Sequence, residues 1–295
     1  MRIQTIERIN AKIQRNEACV RTEIDLLAAA DPTPPDIVIV TFSCDLRGTS
    51  CMLLVPIAER GAFTRAKSIT LDNVMAFPGP APNERLGVVD TQLFAEQARD
   101  VAAAVAADDI LLKLLRNQPI RAVCTSIEGN VYDRSFRLEE LEYARLISYN
   151  CALPARKFPA GGSNLMETLE VGSKIFVNGG LGVMIGPGTR HSEETPSLSF
   201  SVDIFGMRPP YVIGGAGAGS PLLTIGIPLA VTSEPVLVGI QAYVRELART
   251  RYAHYPNEAT LAEQIKSSIQ SGDLRLTDSH YPVFTVGPPD RMRKD

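Results

Sequence analysis

The sequence predicts a mixed α/β fold, with an N-terminal α/β half followed by a glycine-rich, strand-rich half, packed as one domain. Residues 37–42 form a continuous apolar run rich in β-branched residues, which is typical of a strand buried on both faces. After residue 174, short apolar segments alternate with Gly and Pro, which favours strands joined by turns. We expect the domain to cover residues 1–287 and residues 288–295 to be a disordered tail.

In the N-terminal half, the sequence predicts helices that alternate with strands. Ile6, Ile9 and Ile13 recur at helical spacing behind Thr5, a candidate N-cap, so the first seventeen residues should form an amphipathic helix. The strand at 37–42 should deliver Ser43, Cys44 and Asp45 at its C-terminal end, where α/β folds tend to place chemistry. Further helices are predicted at 23–29, 90–107, 109–116 and 138–149, a strand at 68–76, and a hairpin of 121–127 with 131–136.

In the C-terminal half, the sequence predicts mostly strands, and we expect the loops between them to carry function. The predicted strands are residues 175–177, 183–185, 198–204, 222–229 and 236–241, followed by a helix at 260–271 and a strand at 273–276.

The composition indicates a cytoplasmic protein that acts on small molecules or other proteins. Thirty Lys and Arg residues against 33 Asp and Glu residues give a net charge of −3 without a basic block, so we expect no nucleic-acid partner. No apolar run reaches the length of a membrane span, and we expect no membrane association. A small anionic substrate and a second copy of the chain are the candidate partners.

Five cysteines are present, an odd number with no Cys-x-x-Cys pair, which argues against a disulfide framework, a zinc ribbon or a bound iron–sulfur cluster. We therefore expect free thiols, no metal site and no bound cofactor. Cys44 is the candidate nucleophile because a turn could expose it and Arg47 could lower its pKa. The alternative for Cys44 is a buried, inert thiol. The sequence around Cys51 and around Cys124 favours a role in core packing. The sequence around Cys19 and around Cys151 predicts no particular role.

Two segments, 178–191 and 214–220, hold nine of the 22 glycines and predict a site built from backbone. Neither has the spacing of a dinucleotide fingerprint or a P-loop. Successive turns expose backbone N–H groups that bind anions, and the first segment ends in a hydroxyl, a cation and an imidazole. Alternatively, the glycines only make tight turns, and the histidine lies on the surface. The candidate substrate-binding residues in the first segment are Gly179, Gly180, Gly182, Gly186, Gly188, Thr189, Arg190 and His191.

A proline-rich loop at residues 78–85 holds the polar residues Asn83, Glu84 and Arg85, which we include among the candidate substrate-binding residues. An Asn N-cap beside a Glu–Arg surface pair would give the same sequence.

Several segments together resemble the homocysteine-biosynthesis, sulfur-incorporation family of archaea and anaerobic bacteria. These segments are 5–13, 58–63, 78–87, 171–180 and 186–190. Ala-Glu-Arg-Gly at 58–61 and Pro-Gly-Pro-Ala-Pro-Asn-Glu-Arg-Leu-Gly at 78–87 look most like its branch known as the methanogenesis marker 16 metalloproteins.

The resemblance implies an aspartate-semialdehyde sulfurtransferase, in which a cysteine persulfide delivers sulfur to an aldehyde. Two cysteines matter in that branch, and Cys44 and Cys124 are the nearest residues, although the family positions fall nearer Leu46 and Ser126. Because we expect no further cluster module in this chain, the resemblance implies an external reductant, carried by a separate ferredoxin-like donor. The displaced cysteines leave a second hypothesis, a non-catalytic accessory or metal- or cofactor-assembly protein linked to methanogenesis.

Overall fold

The computed structural model describes most of the chain. The described residues are 4–28, 33–45, 48–80, 82–94, 101–153, 169–192, 195–209, 211–212, 221–250, 256–272 and 274–277. The predicted glycine segment 214–220 and the predicted tail 288–295 lie outside them, as do Leu46 and Arg47.

The chain divides into two compact units, each assembled from separate stretches of sequence. Unit 1 consists of Met1–Cys44, Tyr149–Ser201 and Leu222–Val283. Unit 2 consists of Asp45–Ser148, Val202–Pro221 and Phe284–Asp295. The predicted mixed α/β class is confirmed, whereas the single domain over 1–287 stays a prediction.

Unit 1 combines a sheet with helices. Its helices are α1 (Ile6–Gln14), α2 (Glu23–Ala28), α4 (Glu234–Thr250) and α5 (Pro256–Gln270). Its strands are β1 (Val20–Thr22), β2 (Ile37–Asp45), the end of β9 (Ala144–Ala152), β10 (Lys174–Val177), β11 (Gly180–Pro187), β12 (Ser197–Asp203) and β14 (Pro221–Ala230). Their order is β1-β2-β14-β10-β11-β12-β9, with β1 parallel to β2 and β10 antiparallel to both β11 and β14.

Helices α1 and α5 cover the β2 side of this sheet because each presents an apolar stripe. Thr5 accepts a hydrogen bond from the Arg8 N–H at 3.3 Å and caps α1, as predicted. Ile9, Ile13 and Ile265 are fully buried and join one core. That core also contains Val20, Ile37, Ile39, Phe176, Ala230, Leu261, Ala262, Ile269, Leu274 and Leu276.

Unit 2 is built on an antiparallel sheet. Its strands are β3 (Thr49–Pro56), β4 (Ala66–Leu71), β5 (Val74–Pro78), β6 (Val88–Phe94), β7 (Ile120–Ser126), β8 (Val131–Phe136) and the first part of β9, and its helix α3 is Val101–Leu115. The order is β9-β3-β6-β5-β4-β7-β8, and this unit also contains the two-residue strand β13 (Tyr211–Val212). Short 3₁₀ turns lie at Asn83–Leu86, Leu138–Glu140 and Ile204–Gly206.

Most strand predictions and the first two helices are confirmed, but several elements are wrong. Residues 90–94 belong to β6 rather than a helix, and 109–115 continue α3 rather than starting another helix. The predicted helix 138–149 is a 3₁₀ turn followed by β9, and the predicted strand 236–241 lies inside α4. The strand at 68–76 is a hairpin, and at 274–277 the described chain makes only an isolated bridge between Ser173 and Thr277. None of the described helices is long and apolar enough to span a bilayer.

Candidate functional site

Two thiols of unit 1 are in contact. The Sγ atom of Cys151 lies 3.3 Å from the Sγ atom of Cys44, within the distance for an S–H of Cys151 to donate to the Cys44 sulfur. Cys44 is partly exposed, whereas Cys151 is only 2% exposed. The pair therefore combines an accessible sulfur with a shielded one.

The contact requires the sheet of unit 1 to curl. Strands β14, β10, β11 and β12 separate β2 from β9 in the sheet order. Five inter-strand spacings amount to roughly 24 Å in a flat sheet, yet the two sulfurs lie 3.3 Å apart. The right-handed twist of sheets supplies such curvature, so the site is a product of tertiary structure.

The two faces of strand β2 have different surroundings. Ile37 and Ile39 pack into the core beneath α1 and α5, and Ser43 continues the same face by donating a hydrogen bond to Glu258 of α5 at 2.9 Å. Because side chains alternate along a strand, Cys44 points to the opposite face. The sequence prediction that the end of this strand carries Cys44 is consistent with this placement, although its catalytic role stays a prediction.

Cys124 has a different environment. It lies on β7, which pairs with β4 and β8 rather than with β2, and it belongs to unit 2. Its side chain is fully buried, and burial, with the negative charge of Glu84, raises its pKa to about 11. These features agree with the packing role that its sequence favours, and a catalytic role for Cys124 stays a prediction.

Cys51 is also a core thiol, as its apolar context indicates. Burial, with the charge of Asp108, raises its pKa to about 12. Its position on β3 opposite Leu93 and Leu146 explains that burial. Neither Cys51 nor Cys124 offers a thiolate near neutral pH.

The first glycine segment forms strand and turn rather than a chain of open turns. Asn178 and Gly179, with φ of 48° and 87°, make the two-residue turn between β10 and β11, where a type I′ turn requires positive φ at both positions. Gly180, Gly182 and Gly186 lie within β11. The tight-turn interpretation therefore accounts for Gly179, whereas the other three glycines lie in the strand itself.

Successive backbone N–H groups after β11 already have acceptors. Gly188 donates to the Ser197 carbonyl, Thr189 to the Tyr149 carbonyl, Arg190 to the Asn150 side chain, and His191 to the Gly188 carbonyl. An anion at this segment would therefore be held by side chains rather than by a backbone nest. The side chains of Thr189 and Arg190 are exposed, which leaves their predicted substrate role open to experiment.

His191 is held in place by its neighbour strand. Its Nδ1 lies 3.1 Å from both the N–H and the carbonyl oxygen of Ser197. Gly188 is tightly packed beside it, because an added Cβ would lie 2.3 Å from the Ser197 hydroxyl and 2.8 Å from the Asn150 Oδ1. This loop is a fixed structure next to Asn150, the residue before Cys151.

In the proline-rich loop, the side chains of Asn83 and Glu84 bond to other segments of unit 2. Asn83 donates to both carboxylate oxygens of Asp90 at 3.0 Å. Glu84 is 1% exposed, accepts the Ala66 N–H at 3.1 Å and lies 3.5 Å from the Arg65 guanidinium. Burial, with the charge of Glu84, raises the pKa of Asp90 against the lowering effects of Asn83 and Arg65. A structural role explains these contacts.

Arg85 is the exposed member of the predicted triplet, and its carbonyl accepts the Gly61 N–H. Gly87 closes the same turn with a φ of 84°, and its carbonyl accepts the N–H groups of Ile57 and Ala58. The two sequence motifs at 58–61 and 78–87 therefore form one structural element. Substrate binding by Asn83, Glu84 or Arg85 stays a prediction.

Within the described ranges, no group of three or more His, Cys, Asp or Glu side chains is placed to hold a metal ion.

Comparison with known proteins places the chain near a sulfur-metabolism family. The model of a family described as "Homocysteine biosynthesis enzyme, sulfur-incorporation" matches residues 162–249. All five cysteines lie outside that segment. The resemblance to this family is confirmed, whereas the assignment to its methanogenesis marker 16 branch stays a prediction.

Curated relatives extend the similarity over most of the chain. An uncharacterised protein of Methanothermobacter thermautotrophicus is 26% identical over 94% of this chain and 74% of its own length. An uncharacterised protein of Methanocaldococcus jannaschii is 26% identical over 78% of this chain and 64% of its own length. The L-aspartate semialdehyde sulfurtransferase of M. jannaschii is 23% identical over 80% of this chain, which spans 56% of that enzyme. No solved structure gives a significant match.

Proposed function

We propose that this protein, which resembles the homocysteine-biosynthesis, sulfur-incorporation family, transfers sulfur through the paired thiols of Cys44 and Cys151. The similarity to a named sulfurtransferase supports sulfur transfer as the class of reaction. The 3.3 Å contact between the two sulfurs is the observation that carries the assignment of residues.

The difference in exposure supports a different role for each thiol. Cys44 is the accessible sulfur and carries the persulfide, because a thiolate must be reached by the sulfur donor. Cys151 is shielded and acts on the loaded Cys44 as the resolving thiol. When Cys44 is a thiolate, the S–H of Cys151 can donate a hydrogen bond to it.

The exchange starts from a Cys44–Cys151 disulfide, which a disulfide oxidant such as oxidised glutathione forms from the two free thiols while it is itself reduced to two thiols. A Cys44–Cys151 disulfide and hydrosulfide exchange to give a Cys44 persulfide and a Cys151 thiolate. In the reverse direction, the Cys151 thiolate attacks the inner sulfur of the persulfide, which forms the disulfide and releases hydrosulfide. The two thiols thereby lose two electrons, and the outer sulfur gains them.

Hydrosulfide released next to an aldehyde can add to its carbonyl carbon. Conversion of the aldehyde to a thiol consumes hydrosulfide, two electrons and three protons, and it releases water. The electrons come from an external donor, for which a ferredoxin-like protein is our candidate partner. We take L-aspartate semialdehyde as the first substrate to test because the M. jannaschii relative carries its name.

The test is an anaerobic assay for homocysteine in which protein first oxidised to the Cys44–Cys151 disulfide and freed of oxidant is mixed with L-aspartate semialdehyde and sulfide, and titanium(III) citrate is added last as the electron donor. We expect product with the wild type and with Cys124→Ala, and a loss of at least tenfold in rate with Cys44→Ser and Cys151→Ser. The Cys124→Ala variant is the matched control because its thiol is buried on β7, which belongs to unit 2. Absence of product, or equal rates in all four proteins, contradicts the proposal.

A further inference from the structure

The end of β2 is anchored by hydroxyl groups that bind buried carboxylates. Ser43 Oγ donates to Glu258 Oε1 at 2.9 Å, and Thr41 Oγ1 donates to Glu23 Oε1 at 3.1 Å. Glu258 is 1% exposed and Glu23 is 3% exposed. Burial of a carboxylate costs free energy unless the carboxylate is well hydrogen-bonded. Two buried carboxylates nevertheless bind one face of β2, and we asked what this arrangement does for the end of the strand.

The two anchors differ in their distance from the thiol pair. Ser43 directly precedes Cys44, whereas Thr41 lies three residues before it in the interior of β2. A residue held on one face of an extended strand fixes the direction of its neighbour on the other face. The bond from Ser43 to Glu258 therefore constrains the side on which Cys44 meets Cys151.

We propose that Glu258 is a positioning residue for sulfur transfer, which acts through Ser43 to hold Cys44 against Cys151. This inference rests on the proposed function. Disulfide formation requires the sulfurs to approach from 3.3 Å to a bond length of about 2.05 Å. A strand end that is anchored one residue away permits this short movement and opposes larger ones.

By holding Cys44 in place, this anchor gives the Cys44 thiol a high effective concentration at the Cys151 thiol. Misplacement of reacting groups by about 1 Å can cost up to roughly a hundredfold in rate. Loss of the anchor should therefore weaken exchange between the two sulfurs without removing either thiol. We expect a decrease of about tenfold in the effective concentration, which corresponds to about 30 mV for a two-electron couple.

The experiment equilibrates the full-length protein with mixtures of reduced and oxidised glutathione. The cross-linked Cys44–Cys151 peptide is then quantified by mass spectrometry. Ser43→Ala should lower the effective concentration about tenfold, and Ser43→Thr, which keeps a hydroxyl, should restore it to within about threefold of the wild type. Thr41→Val removes the matching hydroxyl at the other anchor and should stay within about twofold of the wild type.

A second variant keeps the inference testable if Ser43→Ala does not fold. Glu258→Gln retains an acceptor oxygen and removes the charge, so its effective concentration should lie between those of Ser43→Ala and the wild type. Native circular dichroism identifies the folded variants. Equal effects of Ser43→Ala and Thr41→Val, or no effect of Ser43→Ala, overturn the inference alone. A wild type that forms no Cys44–Cys151 disulfide at any glutathione ratio overturns the proposed function as well.

Discussion

The sulfur of Cys44 lies 3.3 Å from the sulfur of Cys151, although the two residues are 107 positions apart and their strands are not neighbours in the sheet. Both residues belong to unit 1, and one is accessible while the other is shielded. This relationship provides a pair of thiols for the sulfur transfer that we propose, and the sequence alone does not assign that pair.

Native alkylation should distinguish the thiols by their surroundings. Cys44 is partly exposed, whereas burial raises the pKa of Cys124 to about 11 and that of Cys51 to about 12. At pH 8 a thiol with a pKa of 11 is about 0.1% thiolate. We expect iodoacetamide to label Cys44 at least a hundredfold faster than Cys51 or Cys124, as measured by peptide mass spectrometry. Labelling of Cys124 at the rate of Cys44 would contradict the described burial.

The two core thiols should also make stability depend on alkaline pH. Their pKa values in the folded state are raised above the ordinary value of 9.0. The unfolded chain therefore loses these protons first, and the free energy of unfolding should fall as pH rises from about 9 to 12. Urea titrations of the wild type, Cys51→Ala and Cys124→Ala test this, since each substitution should reduce the slope. Slopes unchanged in both variants would contradict it.

Two glycines with similar backbone torsions should differ in their tolerance of a side chain. Gly87 and Gly129 have φ values of 84° and 90°. A Cβ at Gly87 would lie 2.1 Å from the Ala58 carbonyl oxygen, whereas at Gly129 it meets nothing within 4 Å. Gly129→Ala should cost about 1 to 2 kcal/mol from backbone strain alone, and Gly87→Ala should cost at least about 2 kcal/mol more. Denaturant unfolding measures both; equal losses would show that the two motifs are not in close contact.

Packing of α5 on β14 should produce a measurable coupling. A Cβ at Gly226 would lie 2.4 Å from Ile265 Cδ1. Gly226→Ala should therefore destabilise the protein by about 1 to 3 kcal/mol, and Ile265→Val, which lacks that methyl group, should relieve part of the loss. A double-mutant cycle measures the coupling, which we expect to be at least about 0.5 kcal/mol. Strict additivity would contradict this packing.

Local patterns predicted the elements that local chemistry determines. The cap at Thr5, the apolar run of β2 and the hairpin of β7 with β8 each carry their signal within a few residues. The helix predicted at 138–149 is wrong because Glu139, Glu140 and Glu142 resemble a helix start, whereas burial alternates along β9 from residue 144 onward. The alternating burial of β9 arises when β9 pairs with β3, a strand that is far away in the sequence.

A short window explains the error at residues 236–241. Val236, Val238 and Ile240 alternate with other residues and so resemble a strand. Over the longer helix α4, the buried residues Ile240, Tyr243, Val244 and Leu247 recur at helical spacing.

The candidate site was predicted in part for a related reason. Cys44 could be singled out because it follows an apolar strand, but Cys151 lies at the end of a strand that was not recognised. Even a correct strand would not have revealed the contact, since it depends on the curvature of the sheet between β2 and β9. The positions of the glycines were informative about turns, and the hydrogen bonds made by their N–H groups could be read only from the structure.

Exchange between the thiol pair and sulfide tests the central claim most directly. The protein is first oxidised to the Cys44–Cys151 disulfide, freed of oxidant and treated anaerobically with sulfide, and the sulfur content of each cysteine is measured by intact and peptide mass spectrometry. We predict a gain of one sulfur atom on Cys44 in the wild type and in Cys124→Ala, and no gain in Cys44→Ser or Cys151→Ser. A persulfide on Cys124, or a gain that persists without Cys44, would contradict the account.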